Sequence, residues 1–213
     1  MNTELKGGGR RGPKTAVLAV GSNLNIGSPA MKEKRVKKIL KISYMNPDQA
    51  KSELGSLGYK YDSELSTPES KVFLDRKGRP NIAFRGSKRV VDDFLGSDVK
   101  LALGLDKYDK RFQEAQTLTK LAEEKYKKPV NVFGDSLGGS LAEKSGASGK
   151  IITHNKGVGI GDIFKTIPKN QTDYRNKNDA VSLLSLTQNH LYNNLIEKDT
   201  GKNPLNILGN HSI

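Results

Sequence analysis

The chain has 213 residues, 34% of them apolar and 6% aromatic, which suits one domain with a sizeable core plus a segment that does not pack. Its 36 basic residues outnumber 23 acidic ones for a net charge of +13, which favours polyanions: anionic lipid headgroups, nucleic acid or an acidic partner. Cysteine is absent and His154, His190 and His211 stand far apart, so a disulfide framework, a thiol nucleophile and a clustered zinc site are excluded, and no metal or cofactor is expected.

In chain order, residues 1 to 45 read as a basic, flexible N-terminal tail. Gly7-Gly8-Gly9-Arg10-Arg11-Gly12-Pro13 has the glycine spacing of a phosphate-binding loop, but Pro13 stands where the lysine must follow. Ala16 to Val20 is too short for a signal-peptide core or a membrane span, so a soluble protein made in a reducing compartment is expected. Met31 to Ile42 sets Lys32, Lys34, Arg35, Lys37, Lys38 and Lys41 around Val36, Ile39, Leu40 and Ile42. That pattern is either a basic amphipathic helix able to lie on anionic membrane or nucleic acid, or a solvated linker.

The domain itself is expected over residues 46 to 213. Asn46-Pro47-Asp48 opens a short helix through Leu54, closed by Gly55 or Gly58. Val72 to Leu74 and Asn81 to Phe84 flank Asp75-Arg76-Lys77-Gly78-Arg79-Pro80 as a hairpin. Apolar residues from Val90 to Leu105 form either a lid or a core face. Phe112 to Lys128 is a helix stopped by Pro129, and Val130, Val132 and Phe133 form a buried strand. Lys150 to Thr153 is a further strand. Gly157-Val158-Gly159-Ile160-Gly161 after it lacks dinucleotide-loop spacing and reads as tight turns. Asp179 to Lys198 is expected to be helical, with Leu184, Leu191 and Leu195 on one side. Strands alternating with helices predict an α/β fold, a mostly parallel sheet flanked by helices.

The chemistry concentrates at Gly134-Asp135-Ser136-Leu137-Gly138-Gly139, between the strand ending at Phe133 and a helix around Leu141 and Ala142. Small residues there permit a sharp strand-to-helix turn, a nucleophile elbow, with the Ser136 hydroxyl at its tip. A serine nucleophile also needs a base, a group to orient that base, and donors for the oxyanion. Asp179 and His211 follow Ser136 in the order acid then histidine.

Four segments resemble the class 3 lipase family of α/β-hydrolases. Asn81-Ile82-Ala83-Phe84-Arg85-Gly86-Ser87, followed by Asp92-Asp93-Phe94-Leu95, is similar to the family's strand ending in Phe-Arg-Gly-Thr/Ser. Gly134 to Ala142 resembles Gly-His-Ser-Leu-Gly-Gly-Ala-Leu-Ala, with Asp135 in place of the histidine. Tyr174-Arg175-Asn176-Lys177-Asn178-Asp179-Ala180-Val181 resembles the segment that carries the triad acid, and His211 falls where a C-terminal triad histidine stands. The resemblance implies an α/β-hydrolase fold and a lipase or phospholipase acting without cofactor. Ser136 would be the nucleophile, Asp179 the orienting acid and His211 the base, with His190 as the substitute base. Leu137 and Ser87 would be the oxyanion donors.

It also implies a lipid or membrane interface as partner, an anionic one given the charge. Leu5-Lys6-Gly7-Gly8-Gly9 resembles the Gly-Gly sites cut by maturation proteases of adenovirus-like DNA viruses and virophages, which suggests a virion-packaged member of the family. The rival reading is a degenerate hydrolase fold serving as a basic capsid- or nucleic-acid-binding protein through its N-terminal tail.

Overall fold

A computed structural model of the chain describes residues 29–87, 109–179, 181–200 and 213. The tail before residue 29, the Val90 to Leu105 segment and His211 lie outside the described residues.

The architecture is α/β. Seven strands form one sheet in sequence order: β1 (Lys60–Asp62), β2 (Ser70–Leu74), β3 (Pro80–Phe84), β4 (Asn131–Asp135), β5 (Ile151–His154), β6 (Gln171–Asn176) and β7 (Leu195–Lys198). The pairs β1–β2 and β2–β3 are antiparallel, and every later pair is parallel. β2 and β3 are the expected hairpin. Asp75 Oδ1 accepts from the amides of Lys77 and Arg79, and Gly78 takes the left-handed conformation at φ 65° that closes the turn.

Strand order that never reverses has a topological consequence. Right-handed crossovers between parallel strands then all lie on one face of the sheet. The helices α3 (Asp109–Tyr126) and α4 (Leu137–Lys144) occupy that face, where Ala115, Ala122, Leu137, Leu141 and Ala142 pack on Val72, Ile82, Phe84, Val132 and Ile151. The opposite face is covered from the N-terminal side by α1 (Pro29–Ile42) and α2 (Pro47–Ser56). There Val36, Ile39, Leu40, Ile42, Ala50 and Leu54 pack on Phe73, Ala83 and Phe133. Each buried Val, Leu, Ile or Phe side chain among them contributes roughly 1.5–3 kcal/mol by leaving water.

α1 therefore belongs to the packed unit although it precedes the expected boundary at residue 46. Its apolar stripe faces the sheet and its lysines face out, so of the two expectations it is the basic amphipathic helix and not the solvated linker, with its apolar side taken up by the core. α2 starts as expected, with Asn46 Oδ1 accepting from the Gln49 amide.

The expected helix from Asp179 to Lys198 is not formed. That stretch holds a 3₁₀ turn, Leu183–Thr187, and the edge strand β7. Ser185 and Thr187 hydroxyls bond back to the Ser182 and Leu184 carbonyls, local bonds that compete with a helix, and Leu191 is exposed. Among the described residues, no helix is long and apolar enough to cross a membrane.

Candidate functional site

The C-terminal ends of β3, β4, β5 and β6 point the same way because these strands are parallel. Ser136 follows β4 directly, Ser87 comes three residues after β3 and Asp179 three after β6. The carboxyl ends of parallel strands are where open α/β sheets place their ligands.

Ser136 has φ 55° and ψ −124°, a conformation that side-chain-bearing residues rarely adopt. Neighbouring glycines make the corner fit. A Cβ on Gly134 would lie 1.9 Å from the Gly138 carbonyl oxygen, and one on Gly138 would lie 2.3 Å from the Phe84 carbonyl oxygen. The strained residue is held by the backbone on both sides. Its amide donates to the His154 carbonyl at 2.9 Å, and its carbonyl accepts from the Gly139 amide at 2.9 Å.

The Ser136 side chain is unlike its surroundings. Ser136 is 3% exposed, and its Oγ has no hydrogen-bond partner among the described residues. Leaving a hydroxyl buried and unbonded costs about 1–3 kcal/mol. Beside it, Leu137 opens α4, so its N–H has no partner within the helix and lies at the positive end of the helix dipole. Gly86 abuts Ser136: a Cβ on Gly86 would be 3.3 Å from the Ser136 Cβ. That contact brings the segment carrying Ser87 against the corner.

Asp179 is buried, and its Oδ2 accepts from the Ser182 amide at 2.8 Å, just ahead of the 3₁₀ turn. Neither described histidine bonds to Ser136. His190 is held through Nε2 by the Ser185 carbonyl at 3.1 Å and through Nδ1 by Asn194 Oδ1 at 3.3 Å. His154 pairs through Nδ1 with Asp135 Oδ1 at 2.9 Å.

Two buried polar networks flank the corner, and neither is evident from sequence. Asp135, opposite His154 in the strand register, also accepts from Tyr44 Oη at 3.1 Å; the Gly86 amide in turn donates to Tyr44 Oη at 3.1 Å. Burial, and then the Asp135 charge and hydrogen bond, push the Tyr44 phenol well above the usual range. The carboxylate next to Ser136 is thus spent on His154 and Tyr44.

On the α4 face, Lys156 is 2% exposed and its Nζ lies 2.5 Å from Glu143 Oε2 and 2.6 Å from Asp173 Oδ2. Asp173 Oδ1 further accepts from Thr153 Oγ1 and Gln171 Nε2. This cluster ties α4, the helix that begins at the corner, to β5 and β6. No group of described residues has the make-up of a metal site.

No family model matches the chain, and no curated protein does. Among solved structures it is similar to a point mutant of MDLA from Penicillium cyclopium, with 18% identity over 76% of this chain and 77% of that one, at a TM-score of 0.46.

Proposed function

We propose that the protein is a serine hydrolase that cleaves carboxyl esters of lipids, a lipase or phospholipase of class 3 type on an α/β-hydrolase fold. The observation that carries this reading is Ser136. It stands in strained backbone at a strand-to-helix corner, with its hydroxyl unbonded among the described residues and a helix N-terminus alongside. Strain and an unsatisfied polar group at one residue are the signature of a site kept for chemistry.

In the proposed reaction Ser136 Oγ attacks the ester carbonyl carbon as His211 takes the hydroxyl proton. Asp179 orients the imidazole and stabilises its charged form. The carbonyl oxygen becomes an oxyanion, stabilised by the Leu137 amide and by Ser87. Collapse expels the alcohol, which receives the proton from His211, and leaves an acyl group on Ser136. Water, deprotonated by the same imidazole, then releases the fatty acid and restores the enzyme. The resemblance of the Ser87, Ser136 and Asp179 segments to class 3 lipases supports the ester chemistry, and the +13 charge favours anionic lipid.

Turnover of a p-nitrophenyl ester tests the assignment of each group. Ser136→Ala and His211→Ala are expected to lower kcat by about 10⁴-fold or more, with His190→Ala close to wild type. Loss of turnover in His190→Ala with activity retained in His211→Ala would reassign the base, and turnover by Ser136→Ala would remove the serine mechanism.

A further inference from the structure

α1 lies across the strands beside their C-terminal ends. Near its start, Glu33 pairs with Lys198, the last residue of β7. Beyond its end, Tyr44 bonds to Gly86 after β3 and to Asp135 at the end of β4. The end of α1 therefore lies beside the strand ends that carry Ser136, and its start beside the end of β7.

The outer face of α1 is a row of cations. Lys34, Lys37, Lys38 and Lys41 share a shallow cleft with Lys198 and Glu33. Lys37 and Lys198 are paired with Glu33, and Lys38 with Glu53. Lys34 and Lys41 are exposed and have no ion-pair partner among the described residues. With Val36, Ile39, Leu40 and Ile42 committed to the core, α1 offers charge to a partner and no apolar face.

We infer that the lysine face of α1, with Lys198 beside it, docks the protein on an anionic phospholipid surface and turns the strand ends carrying Ser136 toward the lipid. The inference rests on the lipid-ester reading and adds the surface that selects the interface. A second feature favours lipid over nucleic acid. The 3₁₀ turn that starts four residues after Asp179 leaves Leu183 56% and Leu186 44% exposed. Three residues apart in such a turn, the two lie on one side. The turn lies on the α4 side of the strand-end edge, across from α1, and exposed aliphatic side chains there suit acyl chains, whereas a phosphate backbone gives them nothing to bury against.

The test is co-sedimentation of the full chain with vesicles of phosphatidylcholine alone or mixed with phosphatidylglycerol, over a range of salt. Turnover of a short soluble ester is measured in parallel. Wild type should bind only the mixed vesicles and release them as salt rises. Each neutralised lysine should weaken binding about fivefold, so that Lys34→Gln with Lys41→Gln loses about 25-fold while ester turnover is unchanged. Leu183→Ser with Leu186→Ser should weaken the part of binding that survives high salt. Undiminished vesicle binding by the double lysine variant would overturn the docking surface, as would equal binding to neutral vesicles or a preference for duplex DNA lost in that variant. Vesicle binding without ester turnover in wild type would support the surface and count against the hydrolase.

Discussion

Glu143 offers a test of how the corner is held. It lies on α4, with Oε2 2.5 Å from Lys156 Nζ and 2.8 Å from Gln171 Nε2. Burial by itself would raise its pKa, but the charge and hydrogen bond of Lys156, joined by Gln171 and Lys165, outweigh it. They draw the carboxyl from 4.5 down to about 2. A depressed folded-state pKa means that Glu143 stabilises the fold fully above about pH 4.5 and stops doing so as pH falls toward about 2. The whole shift corresponds to on the order of 3 kcal/mol, of which about 2 kcal/mol is gone by about pH 3.

Glu143→Gln keeps an oxygen to accept from Lys156, removes the titration and leaves Lys156 with Asp173 as its carboxylate partner. Near neutrality the variant should be about 2–4 kcal/mol less stable than wild type. On acidification to about pH 3 the gap between the two should narrow by about 2 kcal/mol. Urea unfolding followed by far-UV circular dichroism reads both, since the chain has no tryptophan. The difference between proteins is the quantity needed, because Asp62 and Asp75 also titrate low. Hydrogen bonds from Tyr126 and Lys125, and from Arg79, outweigh their burial. A gap that stays constant with pH would refute the assigned role of Lys156.

Three further outcomes are expected. Tyr44→Phe removes the donor to Asp135 and the acceptor of the Gly86 amide, so stability should fall by about 1–3 kcal/mol; kcat for a short ester should drop more than KM rises, because Gly86 precedes Ser87. Ser136→Gly, which relieves the left-handed strain, should be inactive yet raise the thermal midpoint relative to Ser136→Ala, by roughly 1 kcal/mol in stability. Gly138→Ala drives a methyl group into the Phe84 carbonyl and should cost roughly 1–3 kcal/mol or more, seen as a lowered urea midpoint with loss of turnover.

Legibility in the sequence followed where the burial pattern is apolar. β2, β3 and β4 alternate or cluster apolar residues between recognisable turns, so the hairpin and the strand before Ser136 could be read directly. β6 could not, because its inward side chains are Gln171, Asp173 and Arg175, polar groups partnered by Glu143, Lys156 and Glu197, far away in the chain. The same cause hid Lys156 as a buried residue. In the last segment, leucines at helical spacing suggested a helix, but Ser185 and Thr187 bond back to their own turn, and Asn189 and Asn194 bond to the distant Phe164 and Pro168 carbonyls. Asp135 was visible as a departure beside Ser136, yet its partners His154 and Tyr44 follow only from strand register and from the placement of α1. Ser136 itself was legible, since the glycines that its corner requires are adjacent in sequence.

The central claim is that Ser136 is a nucleophile, and covalent labelling tests it most directly. Folded protein treated with a fluorophosphonate probe, digested and mapped by mass spectrometry, should carry one adduct on Ser136 and lose it in Ser136→Ala and on prior heat unfolding. Folded protein that takes up no probe, or carries it elsewhere while Ser136 stays unmodified, would contradict the account.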